Sequence, residues 1–171
     1  DAMAVEAWEE GLLEGESWIP VGGSDCHRWG TEPPGTLLDP PLGWPRTQLG
    51  MAESGEPLRS LKEGRTLLGA PNTSLRFWAE DGRVSAGPGG SIGLPAVIHA
   101  RASSEQDGMV LQIRRIGTGT VTEVEIGEAD TEIEVEAESQ GGIYYARVWP
   151  SEGPTGQRGF AMGNAIRIGE D

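Results

Sequence analysis

A chain of 171 residues with 36% hydrophobic residues and a net charge of −14 is long enough to bury its own core in one or two domains. Its 27 glycines bring the apolar share up to the ordinary globular range, so the composition describes a loop-rich globular chain. The acidity argues against broad binding to nucleic acid or to an anionic membrane surface, since both draw on cations; no run of 18 apolar residues offers a membrane span, and the single Cys26 excludes an internal disulfide. With no secretory-type apolar segment in view, the expectation is a cytoplasmic setting.

In chain order, residues 1–15 read as a helix. Val5, Trp8, Leu12 and Leu13 follow helical spacing, glutamates fill the other face, and Gly15 supplies the stop. Trp18-Ile19-Pro20-Val21 reads as a short strand ending near Pro20, which has no backbone donor. Residues 28–57 carry six prolines, Pro33, Pro34, Pro40, Pro41, Pro45 and Pro57, and show no period; a long irregular segment is expected. Pro57 to Gly64 reads as one short helix, with proline in its first turn and glycine just past its end.

From about Leu75 the pattern turns to strands. Leu75–Ala79 and Ala96–Ala102 alternate; Met109, Leu111 and Ile113 share a face. Val124 and Ile126 point in beside Glu123 and Glu125, and Ile133, Val135 and Ala137 beside Glu132, Glu134, Glu136 and Glu138. Ile143–Trp149 and Ala165–Ile168 complete the set. About seven short strands at regular spacing predict an antiparallel β-sandwich. Carboxylates two apart on one strand face are about 6–7 Å apart, so the glutamate ladder reads as a solvated sheet face and not a cation site.

Val21-Gly22-Gly23-Ser24-Asp25-Cys26-His27 is the stretch where ligand-type residues come in close order. If it continues a strand, Asp25 and His27 point to one side, where a carboxylate and an imidazole can share a metal. Two ligands are too few for a catalytic metal, which takes three or more protein donors. The remaining histidine, His99, reads as a strand residue on the solvent side. Cys26 points away from its neighbours and has no basic partner nearby, which disfavours a thiol nucleophile. No phosphate-binding loop, nucleotide fingerprint or Ser-His-Asp order is present.

Trp8-Glu9-Glu10-Gly11-Leu12-Leu13-Glu14-Gly15, followed by Ile19 to His27 with its G-G-S-D-x-H ending, resembles the end of a PHP (polymerase and histidinol phosphatase) domain. Leu58 to Thr66 is similar to the "leaGRt" helix that follows in many members. Tyr144-Tyr145-Ala146-Arg147-Val148 and Asn164-Ala165-Ile166-Arg167-Ile168 look like the last strands of a sandwich often attached to such enzymes. The resemblance implies a metal-dependent phosphoesterase built on a distorted (β/α)₇ barrel with two or three divalent ions, zinc, manganese or iron. Asp25 and His27 match its last two metal ligands. The family's earlier ligands, an H-x-H, an acidic residue and further histidines, have no counterpart here.

The resulting expectation is the C-terminal portion of such an enzyme: residues 1–70 a remnant of the α/β barrel with a Pro-rich loop, residues 71–171 an accessory β-sandwich. By itself the chain should hydrolyse no phosphoester and bind metal weakly. Residues 1–27, with Trp8, Leu12 and Ile19 exposed, should be mobile, stuck to the sandwich, paired with the missing barrel portion, or self-associated. Another reading makes the sandwich a module recognising a carbohydrate or a partner protein through Trp78, Trp149 or Tyr144. A third makes the 28–57 segment a cover for the mouth of the absent barrel.

Overall fold

The computed structural model describes residues 2–23, 45–50, 56–70, 72–152 and 160–169. Over these the chain runs α1 (Ala2–Leu13), β1 (Arg46–Leu49), α2 (Pro57–Lys62), β2 (Thr66–Gly69), β3 (Thr73–Glu80), β4 (Ser85–Ala86) and β5 (Ser91–Ile92). It continues through β6 (Val97–Ser104), β7 (Met109–Arg115), β8 (Gly119–Glu125), β9 (Thr131–Glu136), β10 (Gly142–Pro150), β11 (Ala161–Gly163) and β12 (Ile166–Ile168). The protein is mainly β, with the antiparallel sheets of a sandwich, as the alternation predicts. No helix among the described residues is long and apolar enough to cross a membrane.

β10 organises the larger sheet. One of its edges pairs with β7 from Tyr144↔Arg115 to Pro150↔Met109. The other is shared, β12 taking its first half and β11 its second. β8 extends the sheet beyond β7; β2 and β1 extend it beyond β11; β5 joins β12 in a parallel pair. The break between β11 and β12 falls at buried Asn164. Its amide donates to the Gly64 carbonyl at 2.8 Å and accepts the Ala165 N–H at 2.9 Å, so polar backbone at the break stays satisfied. The smaller sheet runs β4-β3-β6-β9, all antiparallel.

The core lies between the two sheets. Phe77, Ala79, Ile98, Ala100 and Ala102 from the small sheet meet Met109, Leu111, Ile113, Tyr144, Ala146, Val148, Ile166 and Ile168 from the large one, all buried. Each fully buried aliphatic side chain contributes about 1.5–3 kcal/mol. The outward residues of β9, Glu132, Glu134 and Glu136, are exposed, as their alternation predicts.

Several expectations change. Twelve strands form among the described residues against the seven expected; β1, β2, β4, β5 and β11 have four residues or fewer, too short to show a period. β1 falls inside the stretch expected to be irregular. No strand lies between α1 and β1 among the described residues: Trp18–Val21 runs without ladder pairing, its Trp18 carbonyl accepts from the Trp8 side chain, and Gly22 just beyond it bonds the Thr47 side chain. Trp8 and Leu12 are not exposed but 5% accessible each, because α1 lies on the outer face of the large sheet and joins the core cluster. Leu13, placed on the apolar face by its spacing, is exposed. Pro57 does open α2, and Gly64 just past it has φ +68°, the conformation a helix-ending glycine supplies.

Candidate functional site

α1 and the segment after it build a groove on the outer face of the large sheet. Gly15, at φ +87°, ends the helix and turns the chain back. The Trp8 indole N–H then donates to the Trp18 carbonyl at 3.0 Å. Gly11 makes room for the Trp18 ring: a Cβ there would come within 2.6 Å of Cε3. Farther on, the Gly22 N–H donates to Thr47 Oγ1 at 2.8 Å, and the Thr47 hydroxyl donates to the Gly22 carbonyl at 3.2 Å. The loop end is thus tied to β1. The groove encloses about 630 Å³ between Ala4 and Ala7 of α1, the 18–23 segment, and a floor of Leu68, Met162, Trp149 and Phe160. Trp18 is 50% exposed at its rim, and Val21 is exposed beside it.

Beneath α1 lies a polar cluster that alternation did not reveal. The Tyr145 hydroxyl donates to Glu9 Oε1. The Arg114 guanidinium stands 3.6 Å from the same oxygen and donates to Thr120 Oγ1 at 2.9 Å. Trp8 meets the Tyr145 ring edge-on, with centroids 5.2 Å apart. Burial, reinforced by the hydrogen bond to Glu9, pushes the Tyr145 phenol well above its ordinary range. On the next outward position of β10, Arg147 donates through Nε to Gln112 Oε1 at 2.7 Å and lies 4.8 Å over the Trp149 ring. Burial lowers the Arg147 pKa. The near-continuous apolar run of β10, with Tyr145 and Trp149 outward, was the available signal that this face would be covered.

Of the residues singled out by sequence, Ser24, Asp25, Cys26 and His27 lie outside the described residues, as does most of the 28–57 stretch. His99 does point outward from the small sheet, yet its side chain is only 12% exposed, because it stacks on Trp78 at 5.0 Å. Glu80 Oε1 is 3.5 Å from His99 Nε2, and Glu134 Oε2 is 3.7 Å from Nδ1. The two carboxylates flank opposite ring nitrogens and do not converge on one point. No group of three His, Cys, Asp or Glu among the described residues could hold a metal ion. Tyr144 is buried, its hydroxyl accepting the Glu138 N–H at 3.2 Å. Trp78 is engaged by His99 and by the Arg76 guanidinium at 4.9 Å. Trp149 is half-buried and borders the groove. Compared with family models, with curated proteins and with solved structures, the chain matches none.

Proposed function

We propose that this chain is the C-terminal portion of a PHP-like metal-dependent phosphoesterase, to which Asp25 and His27 contribute two metal ligands and the β-sandwich an accessory body. The observation that carries the reading is the sequence Gly22 to His27 set just beyond the Thr47 anchor: Gly22, three positions before Asp25, is tied to β1 by two hydrogen bonds. A carboxylate and an imidazole suit zinc, manganese or iron, and the rest of the ligand shell has to come from the upstream part of the parent. Bound divalent ions would polarise the phosphoryl oxygen and make a nucleophile of water at neutral pH. Within this chain Thr47, on β1 opposite Leu68 of β2, holds Gly22. Exposed Met3, Leu13, Trp18 and Val21 offer an apolar face to the upstream portion or to a second copy.

Elemental analysis and hydrolysis of bis(p-nitrophenyl) phosphate by the parent polypeptide test the reading. Asp25→Ala and His27→Ala should each lower bound metal and abolish turnover, while the 171-residue chain alone should be inactive. Hydrolysis by the isolated chain that survives Asp25→Ala would sink the proposal.

A second reading, a sandwich module with a ligand of its own, draws support at one aromatic. Tyr144 is buried and the Trp78 ring is already engaged, whereas Trp149 borders an open groove.

A further inference from the structure

Arg147 is the anomaly of the large sheet's outer face. In a chain with 27 acidic and 13 basic residues, carboxylates are abundant. Arg101 meets Asp130 at 2.7 Å, Arg114 meets Glu9 at 3.6 Å, and Arg115 meets Glu138 at 3.0 Å. Arg147 forms no ion pair among the described residues, although burial already disfavours its charge. It makes one hydrogen bond, Nε to Gln112 Oε1, and Gln112 is held in that orientation by donating Nε2 to Glu123 Oε2 at 2.8 Å. The Nη edge of the guanidinium, the fork that matches an oxyanion in bidentate fashion, makes no hydrogen bond among the described residues. Its flat face rests on Trp149, and Trp149 also borders the apolar groove beside Met162 and Phe160.

We propose that Arg147 and Trp149, with the groove Trp149 borders, form a binding site for an amphipathic organic anion: an aromatic or branched apolar body in the groove, and a carboxylate or phosphate against the open edge of the guanidinium. The complementarity is specific to this corner. The groove walls are apolar, so they bind the body without choosing its charge, and Arg147, which feels the charges of Glu9 and Glu123 but forms no ion pair with an acid among the described residues, chooses the head group. The overall charge of −14 repels anions at long range, but salt screens that field beyond about 10 Å at 0.1 M. Preference for an anion therefore has to come from contact with Arg147. The site deepens the binding-module reading and does not depend on the metal centre; Asp25→Ala leaves it intact.

Calorimetric titration of the 171-residue chain with 1-naphthoate, 1-naphthyl phosphate and 1-naphthalenemethanol tests it. At least one of the two anions should bind about tenfold or more tightly than the alcohol, the scale of a charge-assisted hydrogen bond. The tighter anion identifies the head group. Arg147→Gln should erase the preference and leave alcohol binding unchanged, and Ala7→Trp, which fills the groove, should weaken all three. Gln112→Glu provides a check that leaves the arginine in place: an acid beside Arg147 should also remove the preference. Equal affinity for alcohol and anions in the wild type overturns the proposal, as does a preference that persists in both Arg147→Gln and Gln112→Glu.

Discussion

The two outward faces of this sandwich meet opposite fates. The small sheet presents a mixed grid to solvent: Arg76, Trp78 and Glu80 on β3, His99 and Arg101 on β6, and Glu132, Glu134 and Glu136 on β9. Its aromatic pair is self-contained, His99 and Arg76 engaging the Trp78 ring. The large sheet instead carries Tyr145, Trp149, Met162 and Leu68 outward, an apolar surface that needs covering, and α1 and the 18–23 segment supply the cover. Alternating polar residues let a sheet face water on one side; apolar residues on both sides of a strand demand a second layer. One face is finished by the sheet itself, the other only by a distant part of the chain, and the incomplete cover leaves the groove.

Breaking the covered face should cost far more than altering the solvated one. Trp8→Ala removes a side chain that is 5% accessible and packed on Tyr145, and should destabilise by about 3–5 kcal/mol in denaturant unfolding. Tyr145→Phe leaves Glu9 without its buried donor, at a cost of about 1–3 kcal/mol. It also carries a pH signature. The folded phenol keeps its proton more tightly than the unfolded one, so its contribution is full below about pH 10, the ordinary tyrosine value, and is lost as pH rises beyond it, at about 1.4 kcal/mol per pH unit. Unfolding curves taken from pH 9 to 11 should therefore converge for wild type and Tyr145→Phe; parallel curves would show that the hydroxyl is not held as described.

Smaller effects follow. Gly11→Ala gains about 1 kcal/mol of helix propensity but forces the Trp18 ring off the helix, so net stability should change little while tryptophan emission shifts to the red. Arg101→Ala, on the solvated face, loses an ion pair whose partners are both about half-exposed; at most about 1 kcal/mol should disappear, and less in high salt. A loss larger than that of Tyr145→Phe would invert the contrast between the faces.

Legibility in the sequence followed element length and locality. β3, β6, β7, β8, β9 and β10 have six to nine residues, enough for alternation to show. Trp18–Val21 looked like a strand because its residues are apolar, yet Pro20 lacks a donor; the Trp18 carbonyl accepts from Trp8 instead, and Gly22 just beyond the segment pairs with Thr47. At the candidate site, Trp149 was picked out as an aromatic of interest, whereas Glu9, Arg114 and Arg147 carried no local mark. Glu9 meets Tyr145 and Arg114 across more than a hundred residues of chain, and Arg147 meets Gln112 across 35; no periodicity encodes a partner that far away.

By itself, then, the sequence determined the mainly β architecture, the inward and outward sides of its longer strands, the Pro57-to-Gly64 helix, and the need of β10 for burial on both sides, because these follow from side-chain period and backbone preference within a few residues. Only the tertiary structure decided that α1 meets that need, that Gly22 is tied to Thr47, and that the Nη edge of Arg147, beside Trp149, makes no hydrogen bond among the described residues. Those outcomes depend on which distant groups come into contact, and the free energy of such contacts is set by mutual burial, not by local pattern.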